Sequence, residues 1–219
     1  MIIETERLIL RPWQVSDAED LYVYAKDPEV GPPAGWPPHT DVENSRQIIE
    51  TVLAKPEVYA VCQKDGKAIG SIGLHLKGGT DMTDREDECE LGYWIGKPFW
   101  GQGLIPEAAR AILSHAFLEL GMRGVWCGYY EGNEKSRKVQ KKLGFLYQYT
   151  SHNLDVKLMG ELRTGHTNLM TKERWQKVQL FREQKKTLDT FLAKNAISQK
   201  QYDKSYGDLQ VLMDMHGVE

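Results

Sequence analysis

The chain has 219 residues, a formal net charge of −3, and 41% hydrophobic and 27% charged residues. That balance suits a globular protein with a sizeable core, and it gives no electrostatic case for binding nucleic acid or an anionic membrane. No apolar run approaches the ~20 residues that span a bilayer, and MIIETERLIL lacks the basic start and cleavage site of a signal peptide. Cys62, Cys89 and Cys127 are odd in number and far apart, which predicts reduced thiols and a cytoplasmic location.

In chain order, the first predicted element is a strand over residues 5–13, where Leu8 and Leu10 alternate with Arg7 and Arg11. Ser16-Asp-Ala-Glu19 has the form of a capping box and predicts a helix to about Lys26. VGPPAGWPPHT follows, and its four prolines and two glycines exclude regular structure. Thr40-Asp-Val-Glu43 is a second capping box, opening a helix to about Ala54. Residues 58–63 and 68–76 flank Asp65-Gly66 and predict a hairpin. Beyond them, six acidic residues lie between Asp81 and Glu90. Such a run reads either as a solvated loop or as an acidic lip attracting a cationic amine; its spacing matches no calcium loop.

ELGYWIG, starting at Glu90, reads as a buried strand. Lys97-Pro98 breaks it, and Trp100-Gly101-Gln102-Gly103 forms a loop. Ile105, Ala109, Ile112 and Ala116 then recur at helical steps, widened by Leu113 and Phe117, which predicts an amphipathic helix on a sheet. Strand, glycine loop and helix together bring free backbone N–H groups and a positive helix end onto an anion, usually a phosphate. The same pattern also serves as a plain tight connection. It fits neither the dinucleotide fingerprint, since Pro106 stands where the third glycine belongs, nor the P-loop, since no Gly-Lys-Ser/Thr follows.

Residues 125–130 read as a further strand. Asn133 caps a helix that ends at Gly144, and residues 145–150 and 157–170 form a last antiparallel pair. His115, His152 and His166 are scattered without ligand spacing, so no metal is expected. From Thr171 the chain becomes highly charged with interspersed apolar residues, unbroken to Asn195, and Ser198-Gln-Lys-Gln201 opens another helix. Two helices joined across Asn195-Ala-Ile make a helical hairpin. It carries no chemistry of its own, which leaves packing or self-association, such as a homodimer.

TERLILRPW, GYWIGKPFWGQGLIPEA and NEKSRKVQKKLGF, in that order and spacing, resemble the GNAT superfamily of acetyl-CoA-dependent N-acyltransferases. The likeness is to the branch containing the ribosomal-protein N-terminal acetyltransferases, and it covers about residues 1–174. One departure is Pro98, at the first position of the usual Gln/Arg-x-x-Gly-x-Gly/Ala pattern. The resemblance implies an α/β (α+β) fold with a mixed, mostly antiparallel central sheet, splayed at the cofactor site and flanked by helices. It places a catalytic domain at residues 1–174 and leaves 175–219 as a C-terminal hairpin extension. It also implies acetyl-CoA as cosubstrate, no metal, and an amine acceptor such as a protein N-terminus or a small-molecule amine. The pyrophosphate is then expected on the backbone of Trp100, Gly101, Gln102, Gly103 and Leu104. The pantetheine arm is expected along the free edge of the strand carrying Tyr93, Trp94 and Ile95, with Asn133 and Ser136 near the sulfur. Trp36, in the proline-rich loop, is a candidate substrate contact or an aromatic plug.

Acyl transfer to an amine needs a held donor, a neutral nucleophile, an oxyanion site and a proton for the leaving thiolate. A lysine amine of pKa ~10.4 is neutral in about one molecule in 2,500 at pH 7, and an α-amine of pKa ~7.8 in roughly a tenth. A base therefore matters most for lysine-like acceptors. By the resemblance Glu90 is the best-placed carboxylate, acting through water; read from composition, it is the last member of the acidic loop. Many GNAT enzymes carry a tyrosine seven residues after the asparagine to protonate the thiolate, but Gln140 stands there, which leaves Ser136 as the donor. The competing class is a non-catalytic acyl-CoA-binding protein that meets a partner through its hairpin.

Overall fold

The computed structural model describes residues 1–218. Eight strands form one sheet in the order β1-β2-β3-β4-β5-β6-β8-β7. They are β1 (Ile3–Glu4), β2 (Leu8–Pro12), β3 (Val58–Gln63), β4 (Ala68–His75), β5 (Glu88–Ile95), β6 (Gly124–Tyr130), β7 (Leu146–Val156) and β8 (Glu161–Thr171). Every neighbouring pair is antiparallel except β5 and β6, which run parallel. That pair is hydrogen-bonded only at Glu88↔Gly124, Cys89↔Val125 and Glu90↔Trp126. Beyond Glu90 the two strands part, while β4 stays with β5 to Gly70↔Ile95 and β8 stays with β6 to Tyr130↔Gly165. The sheet is splayed, as the resemblance implied.

Strand alternation sorts the side chains onto two faces. Leu8, Leu10, Tyr59, Val61, Leu91 and Ile95 pack against α3 (Leu104–Ser114), whose Ile105, Ala109, Ile112 and Leu113 are buried on that side. Ala60, Cys62 and Val58 face the other way, onto α1 (Ala18–Ala25) and Ile49, which follows α2 (Val42–Ile48). α4 (Glu134–Leu143) connects β6 to β7. Asn133 accepts the Ser136 N–H at its start, and Gly144 closes it at φ 98°, the left-handed position that favours glycine.

Three local expectations are corrected. The first strand is shorter than residues 5–13, because Thr5 Oγ1 accepts the Leu8 N–H at 3.0 Å and folds residues 5–7 into a turn between β1 and β2. Ser16 caps nothing. Asp17 is instead gripped by both terminal nitrogens of Arg11 at 2.7 and 2.8 Å and accepts the Gln14 N–H, so a short 3-10 turn precedes α1. At the second box the cap is Asp41, not Thr40: its Oδ1 accepts the Asn44 N–H at 2.7 Å. Aspartate in an extended conformation reaches that donor, and Thr40 spends its hydroxyl on Asp41.

The C-terminal hairpin consists of α5 (Lys172–Ala193) and α6 (Gln199–Met215), turned at Asn195 with φ 53°. Val178 and Phe181 pack against Leu209, Met213 and Val218 in a separate small cluster, while Trp175 sits against Phe117 in the main core with ring centroids 5.3 Å apart. Arg174 ties the far end back, donating to the carbonyls of Gly144, His216 and Gly217. Among the described residues no helix is long and apolar enough to cross a membrane.

The Arg11–Asp17 pair permits a stability test. Both side chains are mostly buried, so Asp17→Ala leaves a charge without its partner and is expected to cost about 3 kcal/mol. Arg11→Met combined with Asp17→Leu removes both charges and should cost less. Urea denaturation ranks the two variants; the reverse order would show that the ion pair contributes mainly through its own attraction.

Candidate active site

The site begins where β5 ends. Gly96 N–H donates to Ile69 O, which keeps the chain on β4. A 3-10 turn over Lys97–Phe99 follows, and the Trp100 indole N–H returns to Ile95 O at 2.9 Å. The chain then passes through Gly101 and Gly103, both at φ 75°. A Cβ on Gly101 would meet nothing within 4 Å, and one on Gly103 only Arg7 Nη2 at 3.8 Å. The glycines therefore serve the left-handed turn and leave its outer side open. Leu104 and Ile105 start α3 with N–H groups that have no intrahelical acceptor, as at any helix start. Open backbone at the glycines, first-turn donors without an intrahelical acceptor and a positive helix end fit a pyrophosphate.

Arg7 braces this turn from behind. Its Nη1 donates to Gln102 O at 3.0 Å, its Nε to Glu107 Oε2 at 2.6 Å, and its own N–H to Glu107 Oε1 at 2.8 Å. Thr5 Oγ1 adds a third bond to Glu107 at 2.6 Å. Burial tends to raise the Glu107 pKa, but the bonds from Thr5 and Arg7 outweigh it and hold the carboxyl below its usual range. Glu107 is thus kept charged and occupied, and Gln102 O is turned toward Arg7. Across the turn, the Lys135 ammonium lies 3.9 Å from the Trp100 ring centre, joining the loop to α4.

Between the parted strands, alternation decides what faces where. Tyr93 points to the α3 and α4 side with Leu91 and Ile95, whereas Trp94 packs on the α1 and α2 side. Glu90 shares the face of Trp94 and is the last β5 residue paired with β6. Its Oε2 accepts the Thr80 hydroxyl at 2.6 Å, and His75 stands opposite it in the β4 ladder. Burial raises the Glu90 pKa above the ordinary carboxylate range, against the opposing pull of Thr80 and His75. The His75 ring lies so close over Gly92 that a Cβ there would come within 2.8 Å of Nε2.

Trp36 covers the same face. Its ring meets Trp94 edge-on at 5.7 Å and His39 at 5.5 Å. The loop carrying it is held across the mouth of the fork, because Asn133 Nδ2 donates to Pro33 O at 3.1 Å and Arg163 Nη1 to Pro32 O at 2.6 Å. Asn133 therefore uses its amide nitrogen on this loop and its oxygen on the Ser136 N–H.

Ser136 faces Tyr93, their hydroxyl oxygens 2.9 Å apart. Gln140 Nε2 donates to Ser136 Oγ at 3.1 Å, and Asn168 Nδ2 donates to Gln140 Oε1 at 2.6 Å. Burial pushes the Tyr93 phenol and the neighbouring Cys127 thiol well above their normal pKa values, so both stay protonated. Tyr93 thus meets Ser136 on one face of β5, and Glu90 and Trp94, with Trp36 against Trp94, lie on the other; Asn133 bonds both Ser136 and the Trp36 loop, and residues 100–104 follow the end of β5. Sequence reasoning missed Arg7, Thr80, His75 and Asn168, and the contact of the Tyr93 hydroxyl. Only Arg7, inside the TERLILRPW stretch, carried a signal beforehand. Among the described residues no group of three or more His, Cys, Asp or Glu could hold a metal.

The sequence model described as the acetyltransferase (GNAT) domain matches residues 7–146, from Arg7 through the glycine turn to the end of α4 and beyond. The chain belongs to the GNAT acetyltransferase family, and it is by that membership an acyltransferase. Among its relatives, the Bacillus licheniformis N-acetyltransferase p20 is 29% identical over 148 residues, covering 64% of this chain and 80% of that protein. YdaF of Bacillus subtilis (strain 168), which carries the name of a candidate ribosomal N-acetyltransferase, is 43% identical over 82 residues, 37% of this chain and 42% of YdaF. In three dimensions, a GNAT-family acetyltransferase from Bacillus anthracis superposes with a TM-score of 0.69 at 20% identity, covering 79% of this chain and 99% of that one.

Gly103→Val forces a β-branched residue into φ 75° and turns the loop N–H groups away from their common focus. Calorimetry is expected to show at least about tenfold weaker CoA binding, roughly 1.4 kcal/mol. Unchanged affinity in a folded variant would dissociate the glycine turn from the cofactor.

Proposed function

We propose that the chain transfers an acetyl group from acetyl-CoA to a primary amine by direct attack in a ternary complex. The observation that carries this reading is the fork in the sheet, with the glycine turn at its end and a partly buried carboxylate, Glu90, at its vertex. The backbone of Trp100, Gly101, Gln102, Gly103 and Leu104 holds the pyrophosphate. The pantetheine arm lies along the free edge of β5 at Tyr93, Trp94 and Ile95, and a strand N–H polarises the thioester carbonyl. The amine enters on the face of Trp36 and Trp94, beside Glu90, while Asn133 and Ser136 border the sulfur on the other side. Residues 1–174 form the catalytic unit and 175–219 an extension, and the protein works in the cytoplasm.

The amine's lone pair forms the new N–C bond, the C–S bond breaks, and its electron pair stays on sulfur. Glu90 takes the amine proton through water. Its raised pKa makes it a stronger base than a free carboxylate. The name of YdaF points to a ribosomal acceptor; were that acceptor a protein N-terminus, it would be partly neutral at pH 7 and need this base less than a lysine does. CoA release against a panel of N-terminal peptides, aminoglycosides and polyamines tests the proposal; binding of acetyl-CoA without release for any amine would favour a non-catalytic acyl-CoA carrier.

Glu90→Gln keeps the side-chain shape and the Thr80 contact but cannot accept a proton. With the true acceptor, turnover at pH 7 should fall about 10²–10⁴-fold while CoA affinity holds. A base acts only in its deprotonated form, so wild-type kcat/KM should fall as pH drops through the raised Glu90 pKa, and the variant should lack that limb. Its defect should shrink as pH rises toward the amine's own pKa. Full activity of Glu90→Gln across pH 6–9 would place the base elsewhere.

A further inference from the structure

Gln140 stands where many relatives carry an acidic tyrosine, yet it is 1% exposed and fully hydrogen-bonded. Its orientation is fixed by a group that cannot donate: Nε2 faces the Gly128 carbonyl at 3.0 Å, so the amide nitrogen must lie there. The second hydrogen of that nitrogen then points at Ser136 Oγ, 3.1 Å away. Asn168, itself 7% exposed, completes the arrangement from β8 by donating to Gln140 Oε1 at 2.6 Å. On its other side Ser136 Oγ meets the Tyr93 hydroxyl at 2.9 Å.

A serine oxygen has two lone pairs and one hydrogen. Gln140 donates into one lone pair; the bond to Tyr93 can be donated from either oxygen, and the Tyr93 hydroxyl also has the Ser136 carbonyl at 3.3 Å as an acceptor. We infer that Tyr93 donates to Ser136 Oγ, and that Tyr93, Gln140 and Asn168 are positioning residues that leave the Ser136 hydroxyl hydrogen to donate toward the sulfur of acetyl-CoA. This deepens the proposed acetyl transfer and rests on it. As the C–S bond breaks and sulfur takes the electron pair, the Ser136 hydrogen bond stabilises the developing thiolate. The thiolate, of pKa ~8.5 as a free thiol, takes its proton from water after release, so Ser136 and Tyr93 end the cycle in the protonation states in which they began.

Two substitutions test the device. Tyr93→Phe removes one donor to Ser136. Gln140→Glu keeps the bond from Asn168 but replaces the amide donor by an acceptor that draws the serine hydrogen away from the cleft. Each should lower kcat with acetyl-CoA at least about tenfold, toward the low end of general-acid effects because a thiolate is a fair leaving group. KM for acetyl-CoA should stay within about twofold and thermal stability should be followed in parallel; Tyr93→Phe carries the test by itself if Gln140→Glu does not fold. Combining Tyr93→Phe with Ser136→Ala should be no worse than Ser136→Ala alone, because one hydroxyl carries both effects. With acetyl-seleno-CoA, whose selenolate is a much weaker base and needs no stabilising bond, the Tyr93→Phe defect should vanish. A merely structural role for Tyr93 predicts equal loss with both donors and additive loss in the double variant, and either result overturns the inference. Wild-type protein that releases no CoA with any amine would remove the proposed function as well, whereas active wild type with an unimpaired Tyr93→Phe removes this inference alone.

Discussion

The structure depends on one discontinuity, the parting of β5 from β6 immediately after Glu90. A parallel pair left unzipped exposes backbone N–H and C=O groups, and each such group costs about 1–3 kcal/mol if buried without a partner. The fork persists because each prong is zipped on its outer side, β5 to β4 as far as Ile95 and β6 to β8 as far as Tyr130. The edges facing the fork are therefore rigid, and two of the carbonyls on these strands are taken by side chains, Gly128 O by Gln140 and Ile95 O by Trp100. An extended ligand that pairs with them gains hydrogen bonds while ordering no protein backbone, which is the condition for tight, preorganised binding.

Everything chemical in the cleft follows from which face of β5 a side chain takes. The odd positions Leu91, Tyr93 and Ile95 look toward α3 and α4; Glu90 and Trp94 look toward α1 and the proline-rich loop. A ligand threaded through the fork separates these two sets, with a carboxylate on one side of it and paired hydroxyls on the other. In the proposed reaction, removal of a proton from the nucleophile and stabilisation of the leaving group fall on opposite faces of one strand. Asn133 links the faces, since one amide group caps α4 beside Ser136 and also holds Pro33 of the loop that carries Trp36.

How far this was legible in the sequence varied with the range of the interaction. The β3–β4 hairpin at Asp65-Gly66, the Asn133 and Gly144 ends of α4 and the Ser198 capping box are local, and the residues that make them lie within four positions of one another. Ser16 and Thr40 misled for an instructive reason. Both have the right chemistry for a cap, but beside Thr40 the role went to Asp41, and beside Ser16 the Asp17 carboxylate is held by Arg11 and makes no side-chain cap bond to α1. The fork was legible only through family resemblance, as no periodicity in ELGYWIG says where its partner strand leaves it. Arg7 to Glu107 and Gln140 to Asn168 span 100 and 28 residues, and neither residue type announces such a partner.

The Arg7–Glu107 contact bears on how the site is held, beyond its own small energy. Arg7 is nearly half exposed, and an ion pair in that setting contributes about 0–1 kcal/mol. Its geometry matters more. The guanidinium engages both Gln102 O, within the glycine turn, and Glu107, in the first turn of α3, so it fixes the two sides of the anion cradle relative to each other. It also answers an electrostatic problem, since an unpartnered carboxylate in the first turn of α3 would repel the phosphates that the same helix end attracts. With Glu107 occupied by Thr5 and Arg7, the positive end of α3 stays available to a ligand anion. An edge segment of the sheet, remote in sequence from β5 and β6, is thereby part of the proposed cofactor site.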